Sequence, residues 1–558
     1  MLERTRWQVL VALVALGVIL GLLAHTAYSR TMVIVPDFGG TYIEGVAGNP
    51  RYINPLLCYY NTVDRDLVAL IFGGLTTANE RGEIVPDLAT DWQISDDNLV
   101  YTFHLRDGVR WHDGVPFTAD DVLFTIHAIQ DPDFQGLPAL ADLWRSVKVE
   151  APDAHTVRFT LQEPFAPFLD YTTIGILPAH LLADVPAKLL PDSQFNAQPI
   201  GTGPFELAEI SAEHALLEAN THYYDQRPLL DKIEFRFYPD YPSVVQAYQR
   251  GEVHGICRVL PEQLEEVRRD ETLTLYTAPL SGYTLVFLNL DRPFFRDARV
   301  RQALLWATDR QGIVDRLLNG QGIVAHSPIM PSSWAYDPNI LKYTYDPAKA
   351  EALLNEAGWL DMDGDGVREK EGIRLEFALL TNDDPTRVRI IEELARQWGQ
   401  VGVKAIPQTA GVAGVVRDFL VPRQFDALLY AWQSFPPDPD PYPQWHVSQI
   451  GEDGQNFSGY NNDAANLVME EARVIADRSR RAELYKEFQR YFAEDVPSLL
   501  LYYPVYNYAI SKTVFGVQVG PMIEASDRFR TVTDWYMLTK RVILSESRWW
   551  EFDKPSKE

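Results

Sequence analysis

The stretch DMDGDGVREKEG, from Asp361 to Gly372, carries the one spacing in this chain that matches a known ligand set for an ion. Asp361, Asp363 and Asp365 stand at positions 1, 3 and 5 of a calcium loop, with Gly366 at the sixth and the Val367 carbonyl at the seventh. Alternate oxygens around a tight turn are what a hard cation requires. Position 12 is Gly372, where such loops place a bidentate glutamate, so Glu369 or Glu371 would have to substitute. A strand follows, with no second helix to complete a helix–loop–helix pair. Two expectations stand: a structural Ca2+ site without a catalytic role, or a solvated acidic turn.

Other chemistries find no pattern. The sequence has no Gly-x-Ser-x-Gly elbow, no His-Glu-x-x-His and no P-loop. PIGTGPF, from Pro199, reads as a glycine turn entering a strand because the third glycine of a dinucleotide fingerprint is missing. The 11 histidines are scattered without metal-ligand spacing. Carboxylates are abundant, but abundance singles out no acid–base pair.

A different kind of site is marked by AWQSFPPDPDPYPQW, from Ala431 to Trp445. It leaves a buried-strand pattern, FDALLY, and enters a loop stiffened by five prolines and carrying two aspartates and two tryptophans. Rigid, aromatic and weakly charged, it suits gripping better than turnover.

The elements that would position these loops alternate along the chain. VYTFHL, from Val100, and HTVRFTL, from His155, alternate apolar and polar residues as half-buried strands do. Thr118, with Asp121 three residues on, opens a helix in a near capping-box arrangement. YDPAKAEALLNEAGW is a helix capped by Asp346, started by Pro347 and stopped by Gly358. IRLEFALL and FDALLYAW are strands around the helix RVRIIEELARQWGQVG, and two amphipathic helices follow Asn462. The mixture predicts layered α/β lobes. Without a flexible linker, the lobes are expected to share several chain crossings.

At 558 residues the chain exceeds what one core usually holds, so at least two lobes are expected. A formal net charge of −27 argues against nucleic acid as a partner, since a phosphate backbone needs a basic surface. Cys58 and Cys257 are the only cysteines, allowing one bridge at most. Arg4 and Arg6 precede an uncharged apolar run reaching Ala24, the mark of membrane export. Residues 1–30 are therefore read as an uncleaved N-terminal anchor or as a signal peptide cut after Ala27-Tyr28-Ser29. Either way the body lies outside the cytoplasm.

DLATDWQISDDNLVYTFHLRDGVRWHDGVPFTADDV, from Asp87 to Val122, resembles the signature of the extracytoplasmic solute-binding proteins of peptide-type ABC importers (family 5, the oligopeptide/dipeptide class). PIGTGPF, LNLDRPFFRDARVRQALLWATDR, YDPAKAEALLNEAGW and GYNN follow in the family's order, so the likeness spans about residues 40–520. The resemblance implies an α/β periplasmic-binding-protein-like clamshell of the class II, cluster C type, not an enzyme, closing about a hinge on its ligand. Lobe I would comprise residues 31–60, 198–278 and 498–540, with a subdomain at 61–197. Lobe II would span 279–497, and 541–558 would form a tail. It implies a peptide ligand and a permease with a cytoplasmic ATPase as partners, no required cofactor and a monomer.

In the family, the loop after the FDALLYAW-like strand faces the ligand. That makes Trp432, with Gln433 beside it, the expected ligand wall. Peptide-binding members place an aspartate for the ligand ammonium where this chain has Phe435; Asp438 and Asp440 reach inward only if the loop folds back. Dipeptide-binding members carry an arginine for the ligand carboxylate where this chain has Asn382. Both end clamps of a short peptide are thus missing, which argues against a strict dipeptide binder. Tyr59, Tyr60 and Trp445 are further cleft aromatics or core residues. An oligosaccharide ligand, or a membrane-tethered sensor role, remains the alternative.

Overall fold

The computed structural model describes residues 7, 10–22, 32–79, 81–451 and 454–543. The Ala27–Ser29 motif and most of the C-terminal tail lie outside the described residues. Residues 10–22 are helical and exposed, and among the described residues no helix is long and apolar enough to cross a membrane.

Six strands carry the architecture: β1 (Thr41–Ala47), β2 (Lys232–Tyr238), β3 (Leu273–Pro279), β4 (Gly282–Leu288), β5 (Ala427–Gln433) and β6 (Ser498–Ser511). They belong to one continuous 12-stranded sheet. β6 is its long member, and its 14 residues serve two neighbourhoods. Its second half pairs antiparallel with β3 (Pro279 opposite Val505), and its first half pairs with β4 (Phe287 opposite Ser498). β1 and β2 lie parallel on one side, and β5 lies antiparallel to β4 on the other.

The apolar side chains sort into separate cores along this sheet. One gathers residues between 42 and 278 with Tyr506, Tyr508, Phe529 and Trp535. Two more are built from residues between 283 and 503. The chain thus passes from the first set of cores to the second at Pro279–Gly282 and returns within β6. These are two crossings, fewer than the several expected, and both are strand backbone. A clamshell needs no more: two adjacent strands bend together, while each lobe keeps its own packed interior.

Within the first lobe, strands Ala89–Ile94, Val100–Leu105, Thr156–Thr160 and Lys148–Asp153 form a separate four-stranded sheet. The capping box at Thr118 forms, with the Thr118 N–H donating to Asp121 at 2.9 Å. Asp346 caps its helix through the Lys349 N–H at 3.0 Å.

The first lobe also buries an ionic centre. Arg528 is wholly enclosed, donating to both oxygens of Asp66 (2.7 and 2.6 Å) and to Glu44 (3.0 Å). Glu44 also accepts from Tyr42 and Tyr508. Burial pushes the Glu44 carboxyl up, against the pull of Arg528.

Candidate ligand-binding cleft

β5 ends where the proline-rich loop begins, and the hinge fixes that loop in place. Gly282 pairs with Gln433 across β4 and β5. The Ser434 N–H donates to the Ser281 carbonyl (2.9 Å), and the Ser281 hydroxyl donates to the Phe435 carbonyl (2.9 Å). Ser434 adopts φ of 59°, a left-handed kink that turns the chain from strand into loop.

Beyond the kink lies a cavity of about 330 Å³. Lobe I supplies Arg81, Glu83, Met522, Ile523 and Arg530; the other lobe supplies Met330, Trp334, Phe435, Asp440, Trp445 and Arg478. Pro328, Pro436, Pro437, Pro439, Pro441 and Pro521 stiffen its rim. A second cavity, about 150 Å³, lies on the other side of the kink and is lined by Gln433, Ser434, Cys257, Arg258 and Glu524. Ile523 lines both. The size and mixed lining of the larger cavity suit an organic ligand held by few polar groups.

The loop does fold back, but its aspartates are already committed. Asp438 takes a two-pronged ion pair from Arg481, at 2.7 and 2.5 Å, and sits outside the cavity wall. Asp440 lines the cavity yet pairs with Arg473 at 3.1 Å, and burial pushes its pKa up. Arg473 also covers the rings of Tyr442 (4.4 Å) and, from the other lobe, Phe165 (5.0 Å). The Asp438 N–H donates across the lobes to Asp170 at 2.8 Å. Burial raises the Asp170 pKa to about 7, while its second oxygen is enclosed without a partner among the described residues.

Several sequence-derived positions fall elsewhere. Trp432 alternates to the core side of β5, stacking on Phe457 (5.5 Å, 9°) and meeting Phe287 edge-on, so it is no part of either cavity wall. The period of two along a strand sends Gln433 to the opposite face, into the smaller cavity. Phe435 lies on Tyr283 (centroids 5.0 Å) and lines the larger cavity. Trp445 is 1% exposed, donates to the Tyr283 hydroxyl at 3.3 Å and forms part of that cavity's floor. Asn382 is buried away from both cavities, accepting from Arg387 at 3.4 Å. Tyr59 packs on the first lobe's core, and Tyr60 is 78% exposed; neither lines a cavity.

Sequence reasoning missed Arg81, Met330, Trp334, Arg478 and Met522–Ile523. Arg478 had a signal, as the first residue after the helix cap Asp477. The others are brought in from distant chain by the closure of two lobes, which no local pattern encodes. Cys58 and Cys257 are both free and buried, and burial pushes each thiol up to about 12.

At the acidic loop, Asp361, Asp363 and Glu369 present carboxylate oxygens within 4.8 Å of one another. Asp361 accepts from the N–H groups of Gly364 (2.8 Å) and Gly366 (3.0 Å). Asp365 is drawn away, pairing with Arg374 at 2.6 Å and accepting the Val367 N–H. One Glu369 oxygen accepts from Met362, and the other is enclosed without a partner among the described residues. The oxygen set fits a hard cation, with Glu369 in the place expected of Asp365.

Residues 83–453 match the family profile described as bacterial extracellular solute-binding proteins, family 5, middle. The oligopeptide-binding protein AppA of Bacillus subtilis is 33% identical over 499 residues, 87% of this chain and 90% of the relative. The structure of that AppA in complex with a nonapeptide superposes with a TM-score of 0.72 at 30% identity, covering 90% of this chain and all of that one. NikZ from Campylobacter jejuni in complex with Ni(L-His) gives a TM-score of 0.73 at 31% identity, covering 89% of this chain and 99% of that one. With its two lobes joined by paired hinge strands and a cavity enclosed between them, this chain belongs to the bacterial extracellular solute-binding proteins of family 5.

Proposed function

We propose that the chain captures oligopeptides between its lobes and hands them to the permease of an ABC importer. The carrying observation is the larger cavity beside the Gln433–Phe435 kink, walled by side chains of both lobes, with a second cavity on the other side of the kink. The proline rim and the apolar side chains Met330, Trp334, Phe435 and Met522 offer area without demanding one side-chain sequence, and the likeness to AppA supports a peptide cargo.

The division proposed is a first lobe (31–60, 198–278 and 498–540, with 61–197 upon it) and a second lobe (279–497), with the return placed inside the long strand, since Leu499–Tyr503 pack in the second lobe's cores and Tyr506 and Tyr508 in the first's. The apolar helical run at residues 10–22 supports tethering or export through the membrane, with a monomeric body outside. Capture without turnover is the reading, since the cleft residues described above hold no nucleophile–base pair. A structural Ca2+ at Asp361, Asp363 and Glu369 belongs to the same proposal as a brace for an exposed turn.

The test is mass spectrometry of molecules released by denaturing the body (residues 31–558) purified from a bacterial host. Recovered peptides of several residues, returned unchanged after incubation, support the proposal. Recovered oligosaccharide, or cleaved peptide, would overturn it.

A further inference from the structure

The larger cavity has an electrostatic polarity opposite to that of the chain around it. The molecule carries a formal charge of −27, yet Arg81, Arg478 and Arg530 line this space against Glu83 and Asp440. Asp440 is neutralised by Arg473 within the protein, and Arg530 is tied to Asp527 at 2.6 Å and to the Pro521 carbonyl at 2.9 Å. Arg478 is held differently. Its guanidinium lies over the Trp334 ring at 4.7 Å, and among the described residues no carboxylate lies within ion-pair distance of it. Stacking fixes the plane of a guanidinium while leaving its N–H edge available, the presentation that suits a carboxylate.

From the proline loop an ammonium group meets no free partner; the remaining carboxylate of the lining, Glu83 on the other lobe, accepts from the Asn79 amide at 2.9 Å. Phe435 stands where an aspartate would be needed, and its ring is spent on Tyr283. Asp438 is sealed by Arg481, and Asp440 by Arg473.

We propose that Arg478, braced on Trp334, selects ligands through a free carboxylate, and that the cleft is indifferent to whether the ligand's amino end is free or blocked. This rests on the peptide-binding reading above. Arg81 lines the same cavity from the opposite lobe, so lobe closure brings two like charges to one space. An anion between them converts that repulsion into attraction. A ligand that does so favours the closed arrangement, as any ligand that drives closure must.

The experiment is titration calorimetry of the body with one apolar pentapeptide in four forms. These are free at both ends, N-acetylated, C-terminally amidated, and amidated with one glutamate in its sequence. N-acetylation is expected to change Kd by less than threefold, and amidation to weaken binding by at least tenfold. Arg478→Gln should weaken the free acid to the level of the amide and leave the amide unchanged, with an unaltered urea midpoint showing an intact fold. If the glutamate restores affinity to the amide, the carboxylate read is a side chain; if it does not, the carboxylate is the terminus. Equal affinities of acid and amide, or a tenfold loss on acetylation, overturn the inference while leaving peptide binding in place. Failure of all four forms to bind overturns the peptide reading and this inference with it.

Discussion

Trp432 and Arg528 show how far a residue's type falls short of its role. A tryptophan at a strand's end invites a binding role, yet this one stacks on Phe457 and meets Phe287 edge-on inside the second lobe. Trp432→Ala is therefore expected to cost stability, about 3 kcal/mol in urea unfolding, through the cavity it leaves. Ligand Kd should change little in the fraction that stays folded; a large loss of affinity with an unchanged urea midpoint would count against this placement. Arg528 bridges Glu44 and Asp66 with no exposure at all. Arg528→Met would strand two buried carboxylates, and a loss of about 3–5 kcal/mol is expected from the same unfolding measurement. Nothing in the sequence around Arg528 signalled this, because its partners lie more than 460 positions away.

Elements set what these residues do together. Gly282 opens β4 at φ of 142°, and a Cβ there would come within 2.4 Å of the Trp432 carbonyl. Gly282→Ala should push β5 away from the hinge; a lowered melting temperature and weakened ligand binding are expected together, where a merely local strain would lower only the first. The helical turn at Ala166–Thr173 meets the proline loop through Asp170, which faces Asp438, Arg481 and Arg478 across the lobes. Its pKa is about 7 in this closed contact, against about 3.9 for a solvated aspartate once the lobes part. The closed form thus binds the proton more tightly. Closure is favoured fully below about pH 4, weakens as pH rises toward 7, and is level above that. Ligand affinity measured from pH 5 to 8 should follow this slope, and Asp170→Asn should flatten it. For the loop from Asp361, millimolar calcium should raise the melting temperature by a few degrees and Asp363→Asn should abolish the rise; no shift in the parent protein would leave only a solvated turn.

At the scale of the molecule, two strand crossings at Pro279–Gly282 and within β6 leave one soft direction of motion. Ligand should shrink the radius of gyration in small-angle scattering toward the about 24 Å of a compact body this size. An unchanged radius on saturation would mean that the cleft is already shut without ligand. The acidic exterior and the arginine-lined cleft also predict that binding of an anionic peptide tightens modestly with salt up to about 0.15 M, as long-range repulsion is screened first.

What the sequence by itself determined is local or ordered along the chain. Alternating apolar residues specified two strands of the four-stranded sheet, Val100–Leu105 and Thr156–Thr160; Thr118, Asp346 and Pro347 specified helix starts; an ordered series of motifs specified the family and, through it, the clamshell. These signals survive in one dimension because each depends on neighbours a few residues apart. The contents of the cleft do not. Whether Trp432 or Gln433 faces a cavity is a matter of strand face. Whether Asp438 and Asp440 are free depends on Arg481 and Arg473, held by helices that begin after the loop has ended. That Arg81 and Arg478 line one cavity needs two lobes to face one another. Only the tertiary structure decided these, because a cavity is defined by side chains whose separation in space bears no relation to their separation in sequence.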